Sequence, residues 1–280
     1  MKKSSCWQIL LAFSIAVSLG RCEDVEACEI EQDHIHLAAG RDASTSMTIS
    51  FATSSTCCDK YSDNDDCDFS PIGSVLIGTK PGLLNRIVTE SVPPKQYSAQ
   101  YEDESWYRSP YFHHITIDDL EPSTTYYYHC MAEFADEQSE EEKRHEQDSR
   151  RYLRQSVHKV FSFTTAPSPG DFGDAPVTFA FIADIGRTDA AAANFAHLQT
   201  HKDNVDLVML AGDLSYAHLG HHRWDVFFDI LAASDVSIQR PIMVAPGNHD
   251  VDRHPLTGAI FVAFENRFQM PQLLIKSPTI

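Results

Sequence analysis

The chain has 280 residues, 42% of them hydrophobic and 10% aromatic, which is enough for one large or two ordinary domains. Its 40 acidic residues against 22 Lys and Arg give a formal net charge of −18. That balance excludes a basic nucleic-acid footprint and disfavours anionic membranes. Phosphate substrates stay open, because a bound metal's charge would dominate such a site.

Met1 to Cys22 reads as a secretory signal peptide. Lys2 and Lys3 precede an eleven-residue apolar core, Ile9 to Leu19. That length lies within the ~7–15 residues of a signal core and short of the ~20 needed to span a bilayer. Ser18 and Gly20 are small, but no A-x-A occurs, so the cleavage point stays open. An uncleaved anchor or a buried helix is the alternative. Removal would take Lys2, Lys3 and Arg21 and move the charge from −18 to −21. No second apolar run is long enough to span a membrane, so a secreted protein is expected, without stable membrane insertion after signal removal.

Of seven cysteines Cys6 would go with the signal, and the others, Cys22, Cys28, Cys57, Cys58, Cys67 and Cys130, crowd the first half. In an exported chain they favour disulfides in the N-terminal domain, with connectivity undetermined. Cys57, Cys58 and Cys67 accompany five acids between Asp59 and Asp68. This reads as a disulfide-pinned acidic loop, with a metal cluster or weak calcium binding as alternatives. No N-x-S/T acceptor occurs.

Residues 32–165 are rich in short alternating segments. Met47, Ile49 and Phe51 alternate, as do Val75 and Ile77, and then His113, Ile115 and Ile117. Tyr126, Tyr128 and Cys130 follow, then Phe161 and Phe163. Such strands with turn signals between them predict a sandwich. Leu120-Glu121-Pro122-Ser123-Thr124-Thr125-Tyr126-Tyr127-Tyr128 resembles the L-x-P-x-T-x-Y-x-Y signature of fibronectin type III domains. In that resemblance Tyr126 fills the corner role, its hydroxyl bonding back to the chain. A charged run from Glu133 to Arg154 reads as a solvated loop or a partner site. Thr165-Ala166-Pro167-Ser168-Pro169-Gly170 reads as a linker.

The second half opens with three apolar runs, Val177 to Ile182, Val205 to Leu210 and Ile242 to Ala245. Each suits a strand buried on both faces. Between them Asp189 to His201 is Ala-rich, and Trp224 to Ala233 is apolar at helical spacing. The order is β-α-β-α-β, so the strands are parallel and their carboxyl ends share one edge, where open α/β sheets hold ligands. A short motif ends each run: Asp184-Ile185-Gly186, Gly212-Asp213-Leu214-Ser215-Tyr216 and Gly247-Asn248-His249-Asp250. The central acids and Asn248 are 29 and 35 residues apart, near the ~30 of one β-α-β unit. A lone Asp at a strand end reads as a helix cap. Three motifs in this order instead bring two carboxylates, a phenol, an amide and an imidazole to one edge, a donor set for a hard metal ion. No G-x-G-x-x-G follows the first strand, which argues against a dinucleotide site.

The three motifs resemble the D-x-G, G-D-x-x-Y and G-N-H-D/E blocks of the metallophosphoesterases, and within them the purple acid phosphatases. Gly186, where many relatives place His, and Tyr216 carry the finer distinction. Glu265 to Pro271 is similar to their R-F-x-M-P block, and Tyr111-Phe112-His113-His114 to the Y-x-H-H strand of their plant-like members. The resemblance implies an all-β, fibronectin type III-like sandwich followed by the first half of an α/β metallophosphoesterase domain. The boundaries are a signal peptide at 1–22, the sandwich at 23–165, a linker at 166–175 and the metallophosphoesterase domain at 176–280.

It further implies Asp184 and Tyr216 on Fe(III), Asp213 bridging to a divalent ion (Zn, Mn or Fe), Asn248 on that ion, and His249 at the phosphate or leaving group. Asp250 would orient His249 or serve as a turn residue. His113 and His114 are expected to be strand residues, and His218, His221 and His222 loop histidines. The activity implied is hydrolysis of small-molecule phosphate monoesters by a metal-activated water, with a homodimer as an option. The alternatives are a phosphodiesterase or nucleotide pyrophosphatase of the same fold, or a non-catalytic truncated secreted protein. The family's later histidine ligands lie past Ile280. The chain is therefore expected to be the amino-terminal part of a longer protein, and not by itself to hold two metals or turn over.

Overall fold

The computed structural model describes residues 30–55, 71–100, 106–134, 159–171, 173, 176–218, 220–252 and 258–271. The signal peptide, the Cys57–Cys67 loop and most of the charged run fall outside these residues. So do all cysteines except Cys130.

Strands β1 (Ile30–Ala39), β2 (Met47–Ser55) and β7 (Tyr111–Ile117) form one antiparallel sheet in the order β1-β2-β7. A second antiparallel sheet runs β4-β3-β8-β9, from β3 (Pro71–Gly78), β4 (Arg86–Thr89), β8 (Thr125–Phe134) and β9 (Phe161–Thr164). Strands β5 (Ser98–Gln100) and β6 (Trp106–Arg108) make a short hairpin beside them. The sandwich core is the inward half of each alternation: Met47, Ile49, Phe51, Val75, Ile77, Ile115, Ile117, Tyr128 and Phe163. The Tyr126 hydroxyl accepts the Glu121 N–H at 2.9 Å, which is the expected tyrosine corner. Cys130 belongs to this core as a buried free thiol, so the expected disulfide bonding does not extend to it.

The second unit is a three-stranded parallel sheet, β10 (Phe179–Ile182), β11 (Leu207–Ala211) and β12 (Ile242–Ala245), in that order. Helix α1 (Asp189–Thr200) crosses from β10 to β11 and buries Ala191, Phe195 and Leu198. Helix α2 (His222–Ala232) and the single turn α3 (Val236–Gln239) cross from β11 to β12. Trp224, Phe227, Phe228 and Leu231 lie at i, i+3, i+4 and i+7 of α2 and are all buried. Helix α4 (Val262–Arg267) follows. The Asp252 carboxylate accepts the Val262 and Ala263 N–H groups at its first turn.

The first strand departs from expectation. It is not buried on both faces: Phe179 is 49% and Phe181 69% exposed. Ala180 and Ile182 pack toward the core shared with the helices, while the opposite face of β10 stays open among the described residues.

The sheet β1-β2-β7, by contrast, is covered twice. Its inner face meets the second sheet of the sandwich. Its outer face carries small and polar side chains and meets α2, α3 and α4. Ser50 hydrogen-bonds the His114 ring, whose Nε2 is 2.9 Å from the Asn266 carbonyl. His36 lies against Phe228 and Phe268. The Ser237 hydroxyl donates to the Ile35 carbonyl, and Tyr128 to that of Ile238. His113 is a strand residue, as expected. It is buried between Thr53 and Glu90, and a Cβ at Gly73 would collide with its ring.

At the centre of this contact Arg267 is fully buried. Its Nη2 donates to Tyr107 at 2.6 Å and to Asp225 of α2 at 2.8 Å, and its guanidinium lies 4.8 Å from the Phe112 ring centre. Removing one partner of a buried pair leaves the other charge uncompensated. Arg267→Ala should therefore cost about 3–5 kcal/mol in denaturant unfolding.

Burial lowers the His114 pKa from 6.5 to about 3, with His36, Lys95 and His113 adding to the effect. Above pH 6.5 the ring is neutral in both the folded and unfolded chain. As pH falls from 6.5 toward 3, only the unfolded chain takes up the proton. Stability should then decline by roughly 1.4 kcal/mol per pH unit for this group. His114→Gln should flatten the slope by about one proton in pH-dependent unfolding.

Candidate metal centre

All three motifs sit where a parallel strand ends and the chain must turn sharply. The first two turns use left-handed backbone: Asp184 has φ 53°, Asp213 51°, Tyr216 50° and His218 51°. Asp tolerates this region better than most residues, and Tyr does not. The scaffold must therefore impose these angles.

One device that imposes them is close packing of glycines. Gly212, at φ 83°, approaches Gly247, and a Cβ on Gly247 would overlap the Asp213 main-chain nitrogen and carboxylate. Gly186, at φ 64°, lies under the Tyr216 ring. The other device is Asp250. Its carboxylate is 1% exposed and accepts N–H groups of Leu214 (3.0 Å), Ser215 (3.2 Å) and Gly247 (3.0 Å). It thus locks the loop after β11 to the loop after β12. Of the two roles expected for Asp250, the structure gives the turn role and not the orientation of His249.

The site residues come together in two pairs, the first through side chains and the second through the His249 main-chain N–H. The Tyr216 hydroxyl donates to Asp184 Oδ1 at 2.7 Å, joining the ends of β10 and β11. Asp213 Oδ1 accepts the His249 N–H at 2.8 Å, joining the ends of β11 and β12. The His249 ring stacks on Tyr216, with centres 4.7 Å apart and planes at 26°. Asn248 is exposed at the start of the short 3-10 turn Asn248–Asp250. The ligand atoms of Asp184, Asp213 and His249 do not all lie within 4.8 Å of one another, so the pocket is open rather than tightly closed.

The hydrogen bond to Asp184 comes first among the causes that push the Tyr216 pKa up to about 12, with desolvation and the charges of Asp184, Asp213 and Asp250 adding to it. A cation in place of the shared proton would invert that balance. Six-coordinate ligands at ~2.0–2.1 Å lie roughly 2.9 Å apart. The 2.7 Å Tyr216–Asp184 separation is close to this, and the four oxygen-bearing side chains are hard donors. The Asp184–Tyr216 pair therefore fits a hard metal ion.

The histidines expected in the loop divide, and His222 is instead the first residue of α2. His221 is buried away from the pocket, stacked on Tyr107, and burial lowers its pKa to about 4. His218 meets the edge of the His249 ring at 4.8 Å and 88°. Nothing in the sequence around His218 distinguished it from His221 or His222.

Residues 32–165 match the family described as Purple acid Phosphatase, N-terminal domain, and residues 177–277 match Calcineurin-like phosphoesterase. Purple acid phosphatase 18 of Arabidopsis thaliana is 29% identical over 245 residues, covering 86% of this chain and 42% of the relative. Fe(3+)-Zn(2+) purple acid phosphatase 12 of the same plant is 33% identical over 171 residues, covering 59% of this chain and 31% of the relative. The structure of purple acid phosphatase PPD1 from yellow lupin (Lupinus luteus) superposes with a TM-score of 0.58 at 18% identity, over 86% of this chain and 41% of that one. The chain spans less than half the length of these relatives.

The parallel sheet with its acid-bearing loops is thus part of a calcineurin-like phosphoesterase domain, joined to an all-β partner. With both domains in this order, the chain belongs to the purple acid phosphatase family.

If the Asp250 lock sets the loop geometry, Asp250→Ala leaves three buried N–H groups without their acceptor. The expected loss is about 3 kcal/mol or more in denaturant unfolding. Gly247→Ala should also destabilise, because the added methyl meets main chain that cannot move aside.

Proposed function

We propose that this chain carries the first three metal-binding blocks of a secreted acid phosphatase acting on small phosphate monoesters. The observation that carries the reading is the 2.7 Å contact between Asp184 and Tyr216, two hard oxygen donors 32 residues apart at neighbouring strand ends. In this reading Asp184, Tyr216 and Asp213 would hold Fe(III), and Asp213 and Asn248 would hold a divalent ion (Zn, Mn or Fe). The Fe(3+)-Zn(2+) relative supports iron with a divalent partner. Bound there, a metal pair would clamp the phosphate and lower the pKa of a water molecule.

The chain's own residues have further tasks. Asp213 is held by the His249 N–H, which directs one of its oxygens and leaves the other for the pocket. The His249 ring stacks on Tyr216, and in this reading it would donate a proton or hydrogen bond to the leaving oxygen. Its contact with His218 limits ring rotation. Asp250 keeps both loops in register.

The domain boundaries fit this reading as 23–165, 166–175 and 176–280, with a signal peptide at 1–22. Among the described residues no helix is long and apolar enough to cross a membrane.

The test uses a chain extended to the relatives' length and loaded with iron. A visible tyrosinate-to-iron band is expected, and Tyr216→Phe should abolish it. Unchanged absorbance would remove Tyr216 as a ligand. In the same protein His249→Ala should lower phosphate-monoester turnover by about 100-fold, the scale of one lost general acid.

A further inference from the structure

A second group of ligand-type side chains lies at the domain boundary, on β1 and α2. Between Asp33 and His36 the pairing register of β1 shifts, and His34 takes left-handed backbone with φ 55°. The His34 side chain is 93% buried and stacks on Phe228 of α2, with ring centres 5.2 Å apart. Its Nε2 lies 3.0 Å from Asp229 Oδ1 and 3.9 Å from Asp33 Oδ2. The other Asp33 oxygen accepts the His34 N–H at 2.8 Å, which turns Oδ2 toward the ring. Among the described residues no other three His, Cys, Asp or Glu side chains have ligand atoms all within 4.8 Å of one another.

A hydrogen bond from His34 to Asp229 accounts for one of these contacts. It does not account for a second carboxylate brought to the same nitrogen. A neutral imidazole has a single proton to share. His34 Nδ1 is buried and has no hydrogen-bond partner.

A divalent cation would take all three ligand atoms at once, since they lie within 4.8 Å of one another. Zinc bonds of ~2.0–2.2 Å in tetrahedral geometry place ligand atoms about 3.3 Å apart, and the observed 3.0 and 3.9 Å bracket that value. Both carboxylates are exposed, so water can complete the coordination shell.

We propose that Asp33, His34 and Asp229 form a site for a zinc-class divalent cation that ties β1 to α2 across the domain boundary. The site is separate from the pocket at the sheet edge and does not depend on the phosphatase reading.

The experiment uses the metal-free chain carrying Asp184→Asn and Asp213→Asn, so that the sheet-edge pocket is silenced. Zinc chloride is titrated by calorimetry, and thermal unfolding is followed with and without zinc. The comparison protein adds Asp33→Asn and Asp229→Asn, which keep the side-chain shape and an oxygen toward His34 but remove both charges. The proposal expects the comparison protein to bind one equivalent of zinc fewer. It should also lose a zinc-dependent rise in Tm of about 5 °C, with its metal-free Tm unchanged. Equal stoichiometry and an equal Tm rise in the two proteins would overturn the proposal. So would a metal-free Tm drop that accounts for the whole difference, since the cluster would then be a hydrogen-bonded pair alone.

Discussion

A carboxylate removed from water is tolerated only where donors replace the water. Asp250 meets that condition with three main-chain N–H groups from two loops, Leu214 and Ser215 on one side and Gly247 on the other. The loops after β11 and β12 cannot separate without stranding it. Asp213 precedes the first pair of donors, and Asn248 and His249 follow the third. The spacing between the central acid and the histidine block is therefore set by an acid that makes no contact with the pocket's open side. The glycine approach, the Asp213–His249 bond and the Tyr216–His249 stack all presuppose this lock.

The pocket also inherits its footing from the neighbouring domain. Helix α2 presents Asp225 to Arg267 and Tyr107, and Asp229, one turn later, to His34 of β1. The sheet β1-β2-β7 works as the central layer of a three-layer stack, with the sandwich core beneath and the helices above. Its upper surface is made of Thr48, Ser50, Ala52, His36 and His114. These small or hydrogen-bonding side chains let the helices approach closely and still find partners.

Much of this was legible in the sequence, and what was not has a common cause. Alternation at Met47, Ile49 and Phe51, and at Tyr126, Tyr128 and Cys130, marked the sandwich core, because burial on a single face leaves a period of two. The strand–motif order marked the parallel sheet and its functional edge. The cover over the upper face of β2 and β7 leaves no local mark, since helices far along the chain supply it. His114 meets Asn266 across 152 residues. Asp250 stands beside a histidine in the sequence, which suggests an imidazole contact. The 3-10 turn instead points its side chain back into the preceding loops. Arg267 was visible within a block, but its place among Tyr97, Tyr107, Phe112 and Asp225 was not.

Eight non-glycine residues among those described adopt positive φ, and four of them, Asp184, Asp213, Tyr216 and His218, crowd this one edge of one sheet. Each such conformation is uphill by about 1–3 kcal/mol. Glycine at any of these four positions would relax the backbone. A lineage drifting with no demand on the pocket would gain stability by such replacements. The tension in these loops is what the fold bears to hold those four residues at one edge.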